Sequence, residues 1–415
     1  MRVGLVSQWY DPEVGAVVPG TIARGLRSRG HQVDVLTGLP NYPTGRIYPG
    51  YRLRHYQREV LGGVTVHRAP LYASHDTHPG RRAANFLTFA SAASVVGLAA
   101  LRHVDATLVY SAPVTAALPA LALHRARRIP FVLLVQDMWP QSVGASGFLR
   151  DSSARWVERG LHTFCDKVYA RAASIAVTSP GMVDLVAARG IDERKIVVVP
   201  NWVDETHFHP AEYDAELSRE LGPFRPFTVM YAGNLGEVQG LEVVVEAADL
   251  LRDHQELGFV LVGGGVADQR LRRMVAERGL DNVRFVSPQP LTRMAQVLAL
   301  GDVQLVTLRD LPLFRTTLPS KVQATLATGR PIIAAVGGDA AAVVNASGAG
   351  VTVPPGSAKD LAGAVLRTSA LPAGQRRALG TAGRRYYEAH LSRRHGVARL
   401  SALLEQASRR EPVRP

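Results

Sequence analysis

Residues 227–240 read FTVMYAGNLGEVQG, and the stretch changes character halfway. Its first seven residues form a short run rich in β-branched and aromatic side chains, the composition of a strand buried on both faces. Glycines then fall at Gly233, Gly236 and Gly240, spaced G-x-x-G-x-x-x-G, before a helical pattern begins. Strand, glycine loop and helix in that order open a parallel α/β unit. The N-terminal half opens the same way, with RVGLVS (2–7) followed by YDPEVGAVVPG (10–20). The glycines suit two readings: tight strand-to-helix turns, or backbone N–H groups laid close to a phosphate.

Working outward, strand-like runs alternate with helical stretches along nearly the whole chain. The first half offers QVDVLT (32–37), VTVHRA (64–69), ATLVYS (106–111), FVLLVQD (131–137), SIAVTS (174–179) and KIVVVP (195–200). The second offers FVLVGGG (259–265), VRFVS (283–287), VQLVTL (303–308), PIIAAVG (331–337) and GVTVP (350–354). Between them PNWVDETHFHPAEYD (200–214) reads as a linker. The expected fold is α/β, with two doubly wound Rossmann-like domains, 1–205 and 206–379. A helical segment at 380–415 would pack back on the first domain. Such folds bind ligands at the carboxyl ends of their strands. QVDVLT ends in Thr37 where a nicotinamide site would carry an acid, and neither glycine loop is G-x-G-x-x-G, so an NAD-dependent dehydrogenase is disfavoured.

The stretch TLPSKVQATLATGRP (317–331) carries the sharpest chemical signal. Pro319 suits the start of a helix, Gly329 its end, and Pro331 stops it. Val322 and Leu326 share an apolar face. Lys321 then stands beside free N–H groups at the positive end of a helix dipole, which suits a phosphate.

Composition sets the outer limits. The 415 residues are 47% hydrophobic and 20% charged, as in a soluble globular protein. Cys165 is the only cysteine, so no intrachain disulfide forms, and the N-terminus lacks a secretory h-region. A cytoplasmic protein is expected. The net charge of +13 comes mostly from scattered arginine, without a nucleic-acid-binding motif. It fits an anionic membrane surface at least as well, and no nucleic-acid partner is expected. The stretch 83–101 has no charge and the length of a span, but is mostly small residues flanked by Arg81, Arg82 and Arg102. A packed helix, a helix touching the bilayer surface and a true span stay open.

These motifs together resemble the retaining nucleotide-sugar glycosyltransferases of family 4, with GT-B architecture. The resemblance rests on WYDPEVGA (9–16), RGHQVDVLTGLPNYPTG (29–45), VQDMWPQS (135–142), VTSPGMVDLVAARGI (177–191), VVPNWVDETHF (198–208), YAGNLGEVQGL (231–241) and LPSKVQATLATGRPIIA (318–334). It is similar to bacterial enzymes that assemble surface polysaccharides, including amino- and deoxysugar transferases. It implies two domains facing across a cleft and a nucleoside-diphosphate sugar as donor substrate, UDP favoured over GDP. It also implies a lipid-linked or other glycan acceptor, peripheral attachment to the inner face of the cytoplasmic membrane, and no metal or other cofactor.

The resemblance also assigns residues. Lys321, Ser320, Gly233, Asn234 and Gly236 would hold the donor diphosphate, and Gly15 and Ala16 would lie near the sugar or phosphate. The segment VRFVSPQP (283–290) falls where the family holds the base. Many relatives carry a Glu-x7-Glu pair, but those positions are Thr316 and Ala324 here, leaving Asp339 as a candidate ribose contact. Relatives also tend to have a basic residue near Gln239. Asp137 would orient the acceptor hydroxyl, or else cap the following turn. Glu13 would contact a sugar, or merely decorate a helix start. Lys321 and Asp137 are the catalytic candidates. His31 is expected to be structural and Asn201 to organise the linker; Trp139 is a packed anchor or a sugar platform. No metal-ligand spacing or Asp-x-Asp motif occurs. A glycosyltransferase using a soluble natural-product acceptor, a nucleotide-sugar 2-epimerase and a non-catalytic binding module are the alternatives.

Overall fold

The structure is a computed structural model that describes residues 1–13, 17–75, 78–139 and 154–409. The chain forms two compact units, Met1–Pro200 with Gly396–Pro415, and Asn201–His395.

The first unit is built on eight strands: β1 (Arg2–Val6), β2 (Gln32–Gly38), β3 (Gln57–Leu61), β4 (Val64–Ala69), β5 (Ala106–Ser111), β6 (Phe131–Val135), β7 (Ser174–Val177) and β8 (Ile196–Val198). Their order is β3-β4-β2-β1-β5-β6-β7-β8, parallel except for the antiparallel pair β3 and β4. The second unit has β9 (Phe227–Ala232), β10 (Leu257–Val262), β11 (Val283–Val286), β12 (Val303–Thr307), β13 (Ile332–Ala335) and β14 (Gly350–Val353). All are parallel, ordered β11-β10-β9-β12-β13-β14. The order reverses beside β1 in one sheet and beside β9 in the other. Each first strand therefore ends at a switch point, where the loops that follow it can splay apart.

Strand composition explains the layers. In β6 and β10 every residue is buried, as both faces of a helix-covered parallel sheet require. In β3 burial alternates, because this edge strand is covered on one face only. Five helices matter below: α1 (Val17–Ser28), α2 (Pro79–Ala100), α3 (Ser320–Thr328), α4 (Gly338–Ser347) and α5 (Arg393–Arg409).

Two expectations change. The presumed linker from 200 onward is packed: Trp202 and Val203 are buried, and Glu205 accepts from the Tyr387 hydroxyl (3.2 Å) and Arg393 N–H (2.8 Å). The boundary therefore falls after Pro200 instead of at 205. The return to the first unit begins at Gly396, not 380, because the helix Ala373–Tyr386 packs against α3 and α4. From there α5 seats Val397 against Gly25 of α1, where any Cβ would lie 2.6 Å from the valine methyl. His31 Nε2 is 2.7 Å from the Ser401 hydroxyl, which itself donates to Glu405 (3.0 Å), so His31 is structural.

The stretch 83–101, for which three readings were open, forms most of α2. By length and composition α2 is apolar enough to cross a bilayer. Yet Asn85, Phe89, Ala93 and Gly97, each four residues apart, are buried against β2, β4 and the helix Leu118–Arg127. It is a packed helix whose opposite face leaves Leu87 and Val95 exposed, Val95 by 73%.

Candidate functional site

In the second unit the strand-end loops build a cradle around Lys321. After β9, Gly233 takes φ +139°, a conformation that side chains resist. A Cβ there would lie 2.6 Å from Lys321 Cε, so only glycine lets the lysine stem lie across the loop. The Lys321 ammonium also sits 5.0 Å from the centroid of the Tyr231 ring, a favourable place for a cation. Tyr231 is fixed by its hydroxyl, which donates to the Asn234 carbonyl at 2.6 Å. Gly236 N–H donates to Gln239 Oε1 (3.1 Å), so Gln239, where relatives tend to be basic, braces the loop. The Gly263–Gly265 turn closes against it, with Leu235 N–H donating to the Gly264 carbonyl (2.9 Å).

Lys321 itself is half-buried at the first turn of α3. Pro319 is the N-cap and no side chain caps the turn; Ser320 is exposed there. Burial alone pushes the Lys321 pKa down. Among the described residues no carboxylate pairs with it. An uncompensated cation beside uncapped N–H groups is an anion site by charge and by hydrogen-bond inventory. Asp339 is half-buried in the first turn of α4, after β13, so it lies on the same edge of the sheet. The positions where relatives carry two glutamates differ sharply. Thr316 is half-buried and donates to the Leu313 carbonyl (3.3 Å), while Ala324 is buried in the core.

In the first unit most polar groups near the strand ends are already engaged. Glu13 is 3% exposed. Its carboxylate accepts from Asn41 N–H (2.8 Å), Tyr42 N–H (2.9 Å) and Tyr10 N–H (3.2 Å). Burial raises its pKa, opposed by those three amides and by Arg68. Glu13 thus ties the loop after β1 to the arm after β2. Arg68 is fully buried, pairs with Glu59 and donates to the carbonyls of Gly38 (3.0 Å) and Asp11 (2.5 Å).

Asp137 is the exception. It follows β6 and is exposed as a residue, while desolvation raises the pKa of its carboxyl. Its charge reaches Tyr110, whose hydroxyl pKa is raised by burial first and by Asp137 second. Among the described residues Asp137 makes no hydrogen bond or ion pair, so it caps no described turn.

Beside it runs an aromatic cluster that the sequence left scattered. Trp9 lies 5.8 Å from Tyr42 and 6.5 Å from Phe86, and Phe86 lies 6.2 Å from Trp139. His75 meets Tyr42 edge-on at 4.7 Å. Buried Asn85 holds the layer beneath, accepting from Gln8 (2.6 Å) and donating to the Tyr72 carbonyl (2.7 Å). Trp139 is therefore both a packed anchor, its carbonyl receiving Arg189 at 2.9 Å, and part of a ring surface. Gly15 and Ala16 lie outside the described residues. The Asn201 backbone carbonyl receives Gln323 Nε2 at 2.6 Å. Among the described residues no cluster of three or more His, Cys, Asp and Glu side chains is arranged to hold a metal.

Comparisons with known proteins converge on one family. Residues 15–202 match the family model described as Glycosyl transferase 4-like domain, and residues 226–370 match Glycosyl transferases group 1. The chain is 29% identical over 334 residues to the putative colanic acid biosynthesis glycosyl transferase WcaI of Escherichia coli K12, covering 77% of this chain and 79% of the relative. It is 29% identical over 245 residues to the probable glycosyltransferase WbjE of Pseudomonas aeruginosa, covering 56% and 58%. The crystal structure of Anabaena Alr3699/HepE in complex with UDP-glucose shares the fold, with a TM-score of 0.68 at 15% identity over 98% of this chain and all of the other.

Proposed function

The chain belongs to the family 4 glycosyltransferases of GT-B fold, with relatives in polysaccharide biosynthesis, and we propose that it transfers a sugar from a nucleoside diphosphate to a lipid-linked saccharide with retention of configuration. The observation that carries the donor half is Lys321: a half-buried ammonium with no carboxylate partner among the described residues, laid across Gly233 at the uncapped start of α3. UDP is the favoured carrier over GDP, in line with the UDP-glucose held by HepE.

In this reading the diphosphate oxygens accept from Lys321 and from the N–H groups near Ser320. Gly233, Asn234 and Gly236 bring backbone close from the β9 side, and Asp339 meets the ribose. As the bond from the anomeric carbon to the diphosphate oxygen breaks, negative charge collects on the leaving group, where these donors stabilise it. The acceptor hydroxyl attacks from the same face, its oxygen bonding to the anomeric carbon and its proton passing to the departing phosphate. A strong protein base is then unnecessary, and Asp137 orients the hydroxyl. The charge on the diphosphate is met by Lys321 and helix N-termini, so no metal is required.

The acceptor half rests on separate support. One relative is named as a putative colanic acid biosynthesis glycosyl transferase, α2 exposes Leu87 and Val95, Arg81 and Arg82 lie in its first turn, and Arg102 follows its end. That combination supports peripheral attachment to an anionic leaflet.

The test is a panel of nucleotide sugars offered with a lipid-linked saccharide, following release of free nucleotide and the linkage by NMR. The reading expects UDP release, a linkage of the donor's configuration and full activity in EDTA. An inverted linkage, or activity lost in EDTA and restored by magnesium, contradicts it.

A further inference from the structure

The arm between β2 and β3 carries a feature that sugar transfer as described does not use. Residues 50–58 surround a cavity of about 600 Å³ lined by Tyr51, Arg52, Arg54, Tyr56, Gln57 and Arg58. Its frame is fully engaged. The Tyr51 hydroxyl lies 3.3 Å from both Glu59 oxygens, and its ring stacks under the Arg68 guanidinium at 4.8 Å. Tyr56 lies nearly parallel to His67 (19°, 5.9 Å) and its hydroxyl is 2.8 Å from His67 Nδ1. Gln57 Nε2 donates to the Arg52 carbonyl at 2.6 Å.

The three arginines are not engaged. Among the described residues Arg52, Arg54 and Arg58 have no ion pair and their guanidiniums donate no hydrogen bond. The nearby carboxylates are committed elsewhere, Glu59 to Arg68 and Asp34 beside His67 at 3.5 Å. Arg52, Arg54 and Arg58 line one cavity within seven residues, and an anion entering it offsets the repulsion among their charges. Guanidinium matches phosphate oxygens two at a time, and a phosphate offers enough oxygens for more than one arginine. Leu53 and Val60 stand 66% and 62% exposed at the same arm and edge strand, an apolar flank that a free metabolite would not need.

We propose that this cavity binds a lipid-borne phosphate, with Arg52, Arg54 and Arg58 gripping the phosphate oxygens while Leu53 and Val60 meet the lipid's apolar portion. The phosphate can come from a bilayer phospholipid or from the diphosphate of a prenyl-linked acceptor. The second source deepens the acceptor assignment and rests on it; the first does not. The arm is also the segment whose start Glu13 clamps through Asn41 and Tyr42, so a lipid held here is fastened to the loop after β1.

The test compares the full-length protein with an Arg52→Ala/Arg54→Ala/Arg58→Ala variant in three assays. Calorimetry reads a short-chain prenyl diphosphate with UDP in excess, so that the donor site is filled. Co-sedimentation reads vesicles of phosphatidylcholine with and without phosphatidylglycerol. A UDP titration and a thermal melt serve as controls for the donor site and the fold. The expected result is loss of about 10-fold or more in affinity for one probe, with UDP affinity and melting unchanged. Loss confined to the prenyl diphosphate assigns the acceptor, and loss confined to phosphatidylglycerol vesicles assigns the bilayer. Equal binding by both proteins, or no binding of either probe by the unaltered protein, overturns the proposal. If the unaltered protein binds a probe but not UDP, the donor reading fails while the phosphate site stands.

Discussion

The two units share an architecture and use their polar side chains in opposite ways. Around β1, charge is consumed internally: Glu13 by three amides, Arg68 by Glu59 and two carbonyls. Around β9, glycine replaces side chains and Lys321 is left with an aromatic face and, among the described residues, no counter-ion. A buried charge with all its hydrogen bonds made is scaffold, and one left unmatched has a free energy that only a ligand lowers. Burial alone therefore does not mark a functional residue; the unmade bond does.

Substitutions can break that contrast. The largest effect is expected for Lys321→Ala, which removes a charged hydrogen bond worth roughly 1.5–3 kcal/mol, or about 10- to 150-fold in donor affinity. The melting temperature should stay put, since no internal partner loses a bond. Next, Asp137→Asn should lower kcat by about 10- to 100-fold with little change in donor KM, because it orients the acceptor and holds no described residue. Gly233→Ala comes third. Its φ of +139° and the 2.6 Å approach to Lys321 imply about 1–2 kcal/mol of strain, read as weaker UDP binding. Glu13→Gln sharpens the comparison from the other side. Leaving the Tyr10 N–H against an amide nitrogen should cost about 1–2 kcal/mol of stability, read by thermal melt, with UDP affinity unaltered.

The smallest effect concerns pH. Burial first, then the N-terminal amine and Arg29, hold the His31 pKa below its usual value, with Glu405 pulling the other way. The unfolded chain therefore takes up the proton first as pH falls. The contribution of His31 is complete above about 6.5 and is lost as pH drops from there through the lower folded value. Melting curves should fall modestly over that window, and His31→Gln should flatten the dependence.

Much of this was legible beforehand, for identifiable reasons. Strands at 64–69 and 106–111 are bounded by abrupt changes of composition and match residue for residue. FVLLVQD overran, because Gln136 and Asp137 are polar loop residues. The edge strand Gln57–Leu61 went unread because an exposed, charged strand has no apolar run. For α2 the deciding signal was present in Asn85, Phe89, Ala93 and Gly97, a spacing of four that marks one buried face. Glu13 and Lys321 were both singled out by motif, but nothing in the sequence says which charge has its bonds made. The Trp9, Tyr42, Phe86 and Trp139 surface draws on four separate segments and exists only once the sheet assembles them.

The most direct measurement is a calorimetric titration of UDP into the unaltered protein, Lys321→Ala and Lys321→Arg, with melting curves on each. The account predicts one-to-one binding that Lys321→Ala weakens by at least about 10-fold, partial recovery in Lys321→Arg, and matching melts. Equal UDP affinity in Lys321→Ala and the unaltered protein would contradict it.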